Sequence, residues 1–210
     1  MAKKHVVITG TGRAGTTFLV ELLTHLGLDT GFKPEDIQHH KSGLTNAGLE
    51  HTVGTEDCPY IAKDPWFCDY AKDILCRDDI LIQHIIIPMR DIESAAASRR
   101  LNHERQFYQL SFKKRIFYRL WPYPLDGGLW GTISGKKGKQ ESILMSKIYD
   151  LALAASKYQI PITFICFPKL TSQPEYLYQK LLPILKNISY ADFDKVFQQT
   201  IQPDLINKFS

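Results

Sequence analysis

The chain opens with a short apolar strand that runs directly into a glycine-rich turn and then into a helical pattern. The strand spans residues 5–9, and the turn contains Gly10, Gly12 and Gly15. This order predicts a loop whose backbone N–H groups, together with the first turn of the helix, bind a phosphate-like anion. It also predicts that the first strand belongs to a parallel α/β sheet.

The loop has the spacing of a phosphate-binding loop but lacks its usual lysine. The pattern G-x-x-x-x-G-x-[ST] runs from Gly10 to Gly15 and Thr17, and Thr16 stands where a nucleotide-hydrolysing loop has lysine. Arg13, inside the loop, is the nearest replacement cation. The sequence therefore predicts phosphate binding and argues against ATP hydrolysis as the purpose of the loop.

Support for a bound Mg²⁺ is weak in the sequence. Nucleotide-hydrolysing loops are usually accompanied by an aspartate that follows a second apolar strand. The candidate strand near 162–167 is followed by Pro168 and Lys169, and the strand before Arg90 is followed by Asp91. The adjacency of Arg90 and Asp91 favours a salt-bridged turn over a metal ligand, so we expect no metal requirement.

Apolar strand patterns alternate with helical patterns along the chain, which predicts crossover connections and a parallel sheet. We expect an α/β fold of three α/β/α layers with a central, mainly parallel sheet of the P-loop nucleotide-binding type. At 210 residues the chain fits a single domain, 1–210, with a basic and aromatic helical insertion around 100–140. The predicted strands lie near 5–9, 59–63, 82–88 and 161–167, and the helices near 15–27, 66–75, 91–118, 141–159, 174–187 and 190–208.

The cysteines and the apolar segments indicate in which cellular compartment we expect the protein. Four cysteines, at 58, 68, 76 and 166, show neither C-x-x-C nor Cys/His ligand spacing, which argues against a zinc site and a disulfide framework. The first residues lack the apolar run of a signal peptide, and no segment approaches membrane-spanning length. We therefore expect a cytoplasmic, reducing environment.

Two stretches resemble the P-loop sulfotransferases, which use 3'-phosphoadenosine 5'-phosphosulfate as donor. Residues 13–18, with a basic residue, a small residue and Gly-Thr-Thr before an apolar helix, resemble the family's 5'-phosphosulfate loop. Residues 88–99 are similar to its 3'-phosphate site, in which an arginine ends a strand and a serine follows eight residues later, as Arg90 and Ser98 do. An arginine there can bind phosphate through a charge-assisted fork.

Three weaker similarities accompany them. Lys63, followed by Asp64 and a proline at the end of a strand, resembles a family lysine that touches the transferring end of the donor. The turn 136–138, Lys-Lys-Gly, resembles a basic turn over the 3'-phosphate, although its place in the chain order differs. The chain from Leu170 onward resembles the strand-helix unit that completes the family's sheet.

The resemblance implies transfer of a sulfuryl group from this donor to a hydroxyl or amine of an acceptor, which could be a carbohydrate. It implies Glu35 as the catalytic base, with Asp36, His39, His40, His51 and Asp64 left open, and Lys63 as a second catalytic residue. The donor-binding residues would be Gly12, Arg13, Ala14, Gly15, Thr16, Thr17, Arg90 and Ser98. A P-loop nucleotide or metabolite kinase, or a non-catalytic nucleotide-binding protein, remains an alternative.

Basic and aromatic residues are concentrated in one segment. Between residues 99 and 119 seven arginines and lysines face one acid, Glu104, and aromatic residues are interleaved with them. Such a segment could contact the acceptor, lie on a lipid surface or bind single-stranded nucleic acid, or it could simply pack its aromatic rings on the sheet. We expect a nucleotide donor and a small-molecule or glycan acceptor as partners, with peripheral membrane contact possible and no nucleic acid.

Overall fold

The sheet is entirely parallel and has four strands. The computed structural model describes residues 2–10, 12–41, 48–120, 129 and 138–202. The strands are β1 (Lys3–Ile8), β2 (Ile61–Lys63), β3 (Ile80–Met89) and β4 (Ile162–Cys166), in the spatial order β2-β1-β3-β4. The predicted α/β class and parallel sheet are therefore confirmed.

Eight α-helices of the described residues surround this sheet. They are α1 (Thr16–His25), α2 (Phe67–Leu75), α3 (Ile92–Gln109), α4 (Phe112–Leu120), α5 (Lys139–Lys157), α6 (Lys169–Ser172), α7 (Pro174–Leu181) and α8 (Tyr190–Thr200), and a 3₁₀ helix spans Ile37–His40. No helix among the described residues has the length and apolar character needed to cross a lipid bilayer.

Helices cover both faces of the sheet, which gives the predicted three layers. Alternate residues of a strand point to opposite faces. In β1, Val6 and Ile8 join a core formed with α1, α7 and α8, whereas Val7 joins a second core formed with α2 and α5. Burial on both faces explains the continuous apolar runs at 6–8 in β1 and 85–87 in β3, whereas the first half of β3 alternates between buried and exposed residues.

The strand order places a topological switch point, which is where open parallel sheets have their ligand-binding crevice, at the carboxyl ends of β1 and β3. The chain leaves β1 for a neighbour on one side, β2, and then crosses to the other side, where β3 pairs with β1. In open parallel sheets, ligands bind where the connections diverge in this way. The loop after β1 and the residues after β3 both lie at this point of the sheet.

Two expectations about the helices need correction. The helix predicted over 91–118 is two helices, because Leu110 adopts an extended conformation after α3 and α4 begins at Phe112. The strand expected after Leu170 is absent from the described residues 170–202, which form α6, α7 and α8. The apolar residues of this tail follow helical spacing, since Leu177, Leu181, Phe193 and Phe197 are buried in the core beside α1.

Candidate functional site

At two positions, the loop between β1 and α1 has a backbone conformation that only glycine adopts easily. Gly12 has φ +64°, and Gly15, which precedes the first residue of α1, has φ +88°. Arg13 also adopts a left-handed conformation, with φ +58°, which is uncommon for a residue with a side chain. Because Gly15 has no side chain to accept hydrogen bonds, the first N–H groups of α1 are left for an acceptor from elsewhere.

The two predicted donor-binding segments come together at this loop. The Arg90 guanidinium lies directly after β3, and its Nη1 donates a hydrogen bond to the backbone oxygen of Arg13 at 3.3 Å. The Nε atom of Arg13 donates to Oγ of Ser98 at 3.4 Å. Ser98 is buried two turns into α3, as predicted. Arg90 also stacks on the ring of Phe167, with 4.7 Å from its central carbon to the ring centroid.

A further guanidinium, that of Arg99, lies under the loop and was not predicted as part of the site. Arg99 is only 3% exposed, and its Nη2 atom lies 2.7 Å from the position that a Cβ on Gly12 would occupy. The absence of a side chain at Gly12 therefore lets a guanidinium approach the loop backbone. Arg99 belongs to the buried face of α3, which also contains Ala95, Ser98 and Asn102.

These arginines are close enough to affect one another. Burial, and then the neighbouring charges of Arg90 and Arg105, lower the pKa of Arg13. Burial, followed by the charge of Arg13, lowers the pKa of Arg99 to about 10, so it remains protonated at neutral pH. Bringing like charges together in a partly desolvated crevice opposes folding, and an anion bound among them would relieve the repulsion.

Lys63 reaches the opposite side of the loop. It ends β2, is 3% exposed, and its Nζ donates to Oγ1 of Thr17 at 3.0 Å and to the backbone oxygen of Gly48 at 2.6 Å. Nζ is also 3.2 Å from Oε1 of Glu50. Burial lowers the pKa of Lys63 while the Glu50 carboxylate opposes that shift. The predicted lysine thus lies beside the loop, with a carboxylate partner that the sequence did not reveal.

Asp64, one of the residues left open as the catalytic base, forms hydrogen bonds that hold neighbouring segments together. Its Oδ2 accepts from the backbone N–H of Val53 at 2.9 Å and from the hydroxyl of Tyr70, and its Oδ1 accepts from the backbone N–H of Trp66 at 3.0 Å. Burial raises the pKa of Asp64 and these hydrogen bonds oppose the rise. The carboxylate therefore joins the end of β2 to the segment before it and to α2.

The predicted base, Glu35, is exposed in the turn before the 3₁₀ helix, and its role stays a prediction. The segment around it packs near β2, because the Phe32 ring lies 5.1 Å from the ring of His40 and 4.7 Å from that of His51. The backbone N–H of His51 donates to the oxygen of Lys63 at 3.0 Å. Asp36 and His39 are exposed on the same segment.

Two buried polar side-chain atoms in the described part of the chain lack a hydrogen-bond partner, one on α3 and one beside Gly31. Among the described residues, Nδ2 of Asn102 and Nε2 of His51 are buried without a hydrogen-bond partner. Asn102 lies one turn beyond Ser98 on the same buried face of α3. Buried polar groups are normally paired, so a polar ligand is one explanation for such an atom.

Asp91 does not form the salt-bridged turn that the sequence suggested. Its side chain accepts a hydrogen bond from the backbone N–H of Ser94 at 2.8 Å and thereby caps α3. Hydrogen bonds from Ser94 are the main cause of its lowered pKa, and the charge of Arg90 contributes less. The cap fixes the start of α3 and so the position of Ser98 relative to Arg90.

The remaining expectations concern the basic turn and the metal. Lys136 and Lys137 lie outside the described residues, and Gly138 precedes α5. Within the described residues, no group of three or more His, Cys, Asp or Glu side chains is arranged to hold a metal ion.

Comparisons with protein-family models, with curated proteins and with solved structures found no match for this chain.

Two residues of the site were missed from the sequence. The sequence contains a pattern that could have predicted Arg99. The small residues Ala95 and Ser98, at helical spacing, mark a face of α3 that lies close to another element, and Arg99 is on that face. No sequence pattern predicts the role of Glu50, because only the folded chain brings it to Lys63, thirteen residues away.

Proposed function

We propose that this chain binds 3'-phosphoadenosine 5'-phosphosulfate in the crevice between β1 and β3 and transfers its sulfuryl group to a hydroxyl or amine of an acceptor. The observation that carries the proposal is the convergence of Arg13, Arg90 and Ser98. Two segments that resemble the two ends of one donor site are far apart in the sequence and joined by hydrogen bonds at the switch point of the sheet.

The chemistry of the crevice suits a donor with anionic groups at both ends. Backbone N–H groups of the loop and the N-terminus of α1, with Thr16 and Thr17, would hold the 5'-phosphosulfate. Arg90 and Ser98 would hold the 3'-phosphate, where a planar guanidinium can form paired hydrogen bonds. Arg99, beneath Gly12, adds positive charge to the loop.

Transfer requires a new S–O bond, or an S–N bond for an amine acceptor, to form as the S–O bond of the donor breaks. The acceptor oxygen or nitrogen attacks sulfur, the bond from sulfur to the bridging phosphate oxygen breaks with its electron pair, and the acceptor proton passes to a base. Negative charge grows on the bridging oxygen, where the loop N–H groups, Arg13 and Lys63 would stabilise it. Positioning the two reactants in one crevice supplies the rest of the rate enhancement.

Two carboxylates are tested first as the base, ahead of Asp36, His39, His40 and His51. Glu35 is exposed in the segment after α1, and Glu50 contacts Lys63, which contacts Thr17 of the loop. The variants Glu35→Gln and Glu50→Gln separate these roles when turnover with labelled donor is measured over a panel of glycans, alcohols and amines. The variant that lacks the base should lose about 100-fold or more in turnover and keep the nucleotide affinity of the parent protein.

Donor binding is tested by calorimetry with adenosine 3',5'-bisphosphate in EDTA. Arg90→Ala should weaken binding about 10- to 100-fold, since a hydrogen bond to a charged group contributes about 1.5–3 kcal/mol. Arg77→Ala is the matched control, because Arg77 is an exposed arginine before β3, at the opposite end of the sheet, paired with Asp79. It should change affinity less than about twofold.

Four outcomes would each contradict part of the proposal. No heat with the parent protein would exclude this nucleotide site, and equal affinity of Arg90→Ala and the parent would exclude Arg90 from it. Binding of Mg-ATP in preference to the bisphosphate would favour the kinase alternative. Nucleotide binding without transfer to any acceptor of the panel would favour the non-catalytic alternative.

A further inference from the structure

The short helix α4 presents an apolar face to solvent. Phe112, Ile116 and Leu120 are 76%, 47% and 64% exposed. They are spaced by four residues, so they lie along one side of the helix. Tyr118, on a different side, is 6% exposed and packs against the rings of His103 and Phe107. The helix is therefore attached to the protein by one face and directs a different, apolar face outward.

The junction between α3 and α4 holds this face in place. Nε of Arg115 donates to the backbone oxygen of Leu110 at 2.8 Å, and its Nη2 donates to the backbone oxygen of Tyr108. These oxygens belong to the end of α3, where the backbone lacks helical partners. The Arg115 guanidinium also lies 5.8 Å from the centroid of the Tyr108 ring, which is 67% exposed. Arg115 thus orients α4 relative to α3, next to an exposed aromatic ring.

The surroundings of the apolar face are strongly basic. From residue 105 to residue 120 the sequence has no aspartate or glutamate, and its five basic residues are Arg105, Lys113, Lys114, Arg115 and Arg119. Lys113 and Lys114 are exposed on α4 itself. Apolar side chains beside lysines on one helix are the features of a helix that lies in the interface of a membrane with anionic lipids.

We propose that α4 binds the surface of an anionic lipid bilayer, with the face formed by Phe112, Ile116 and Leu120 inserted among the acyl chains and Lys113 and Lys114 at the headgroups. These three apolar side chains form the α4 face. The proposal does not depend on the nucleotide site, because the α4 face and the loop after β1 are formed by different residues.

Charge and shape favour lipid over two other occupants. A second copy of this chain would bring the basic segment 105–120 against itself, and the like charges would repel. Single-stranded nucleic acid would match the charge, but bases stack on flat aromatic rings. A base could stack on the exposed ring of Phe112 or Tyr108, but the exposed aliphatic side chains of Ile116 and Leu120 would gain no stacking contact. An anionic bilayer satisfies both the lysines and the aliphatic side chains.

The test measures co-sedimentation of the protein with vesicles in 0.1 M NaCl. Vesicles of phosphatidylcholine alone are compared with vesicles that contain 30% phosphatidylglycerol. The parent protein should sediment with the anionic vesicles and bind the zwitterionic ones much more weakly. Lys113→Gln with Lys114→Gln should lower the partition coefficient about 30-fold, because each base near the surface contributes roughly fivefold.

A second double variant tests the apolar contact. Phe112→Ser with Ile116→Ser should lower partitioning about tenfold or more, because these side chains would no longer enter the acyl region. The matched control is Met145→Ser with Leu153→Ser on α5, where both side chains are exposed to a similar degree. The control should bind like the parent. All of these positions are exposed, so circular dichroism and thermal unfolding should confirm that each variant is folded.

The results of these experiments either support or contradict the proposal. Loss of binding in both α4 variants, with the α5 control unchanged, supports the proposal. Failure of the parent protein to bind anionic vesicles overturns it, and so does equal binding of the parent and both α4 variants. If gel filtration shows a dimer that only the α4 variants disrupt, or if single-stranded RNA competes with the vesicles and binds more tightly, the face serves a different partner and the proposal is wrong.

Discussion

Replacing Gly15 with alanine tests how the loop after β1 is held against the rest of the fold. Gly15 precedes α1 with φ +88°, a conformation that L residues adopt at a cost. A Cβ at this position would lie 3.0 Å from Cδ2 and 3.1 Å from Cδ1 of Leu170. Leu170 is fully buried, so it has little room to move away. The substitution therefore combines backbone strain with overpacking.

The two contributions can be estimated separately. The left-handed conformation should cost about 1–2 kcal/mol in the free energy of unfolding. Forcing a methyl group against a packed leucine should cost about 1–3 kcal/mol more. The expected loss for Gly15→Ala is thus about 2–5 kcal/mol, a large share of the stability of a typical domain.

Gly27, after the other end of the same helix, supplies a matched control. Its φ is +79°, and a Cβ there would meet nothing within 4 Å. Gly27→Ala should therefore show only the conformational cost of about 1–2 kcal/mol. Urea unfolding at 25 °C, followed by circular dichroism, measures both variants, and their difference isolates the contact with Leu170.

A double-mutant cycle completes the test. Leu170→Ala removes the atoms that the new methyl group would meet, at its own cost of about 2–5 kcal/mol. In that background Gly15→Ala should cost no more than Gly27→Ala does in the parent protein. If the two substitutions at 15 and 170 are additive, or if Gly15→Ala and Gly27→Ala are equally destabilising, the packing of the loop against Leu170 is not what limits this position.

Two further predictions concern titratable groups. Hydrogen bonds from Ser94 lower the folded pKa of Asp91, so its contribution to stability is present above the ordinary pKa and disappears as the pH falls through the folded value. Asp91→Ala should be less stable than the parent near pH 7, and this difference should shrink as the pH falls through the folded pKa of Asp91, whereas Asp91→Asn should keep most of the cap; a difference between the alanine variant and the parent that does not shrink with acid would contradict this. Burial raises the pKa of Cys58 to about 11, while Cys76 and Cys166 are exposed. Iodoacetamide at pH 8 should therefore label Cys76 and Cys166 first, and rapid labelling of Cys58 in the folded protein would refute the assignment.

Much of the architecture followed from local patterns. The four strands and the helices at α1, α2, α5, α7 and α8 lie near their predicted positions, because apolar runs of strand length and helical spacing are local properties of the sequence. The break at Leu110 was missed. The segment keeps helix-forming residues on both sides, and the turn is held by Arg115, whose contacts with Tyr108 and Leu110 appear only in the folded structure.

The residues of the candidate site were likewise predictable only where local spacing in the sequence fixes their position. Gly12, Gly15 and the arginine within the loop were recognisable because their spacing is fixed by a turn of a few residues. Asp91 was misjudged, because capping of α3 depends on where the helix starts rather than on the charge of its neighbour Arg90. Its role was decided by one backbone N–H, that of Ser94.

By itself, the sequence determined the parallel α/β class, the glycine-rich loop between β1 and α1 and the basic character of the segment around α4, since each depends on residues close together in the chain. Only the tertiary structure decided that Arg90 and Ser98 meet Arg13, that Glu50 faces Lys63, and that α4 turns its apolar side to solvent. The physical reason is distance along the chain. Contacts between remote segments are set by how the strands order themselves in the sheet and how helices pack on its faces, and no local pattern records either.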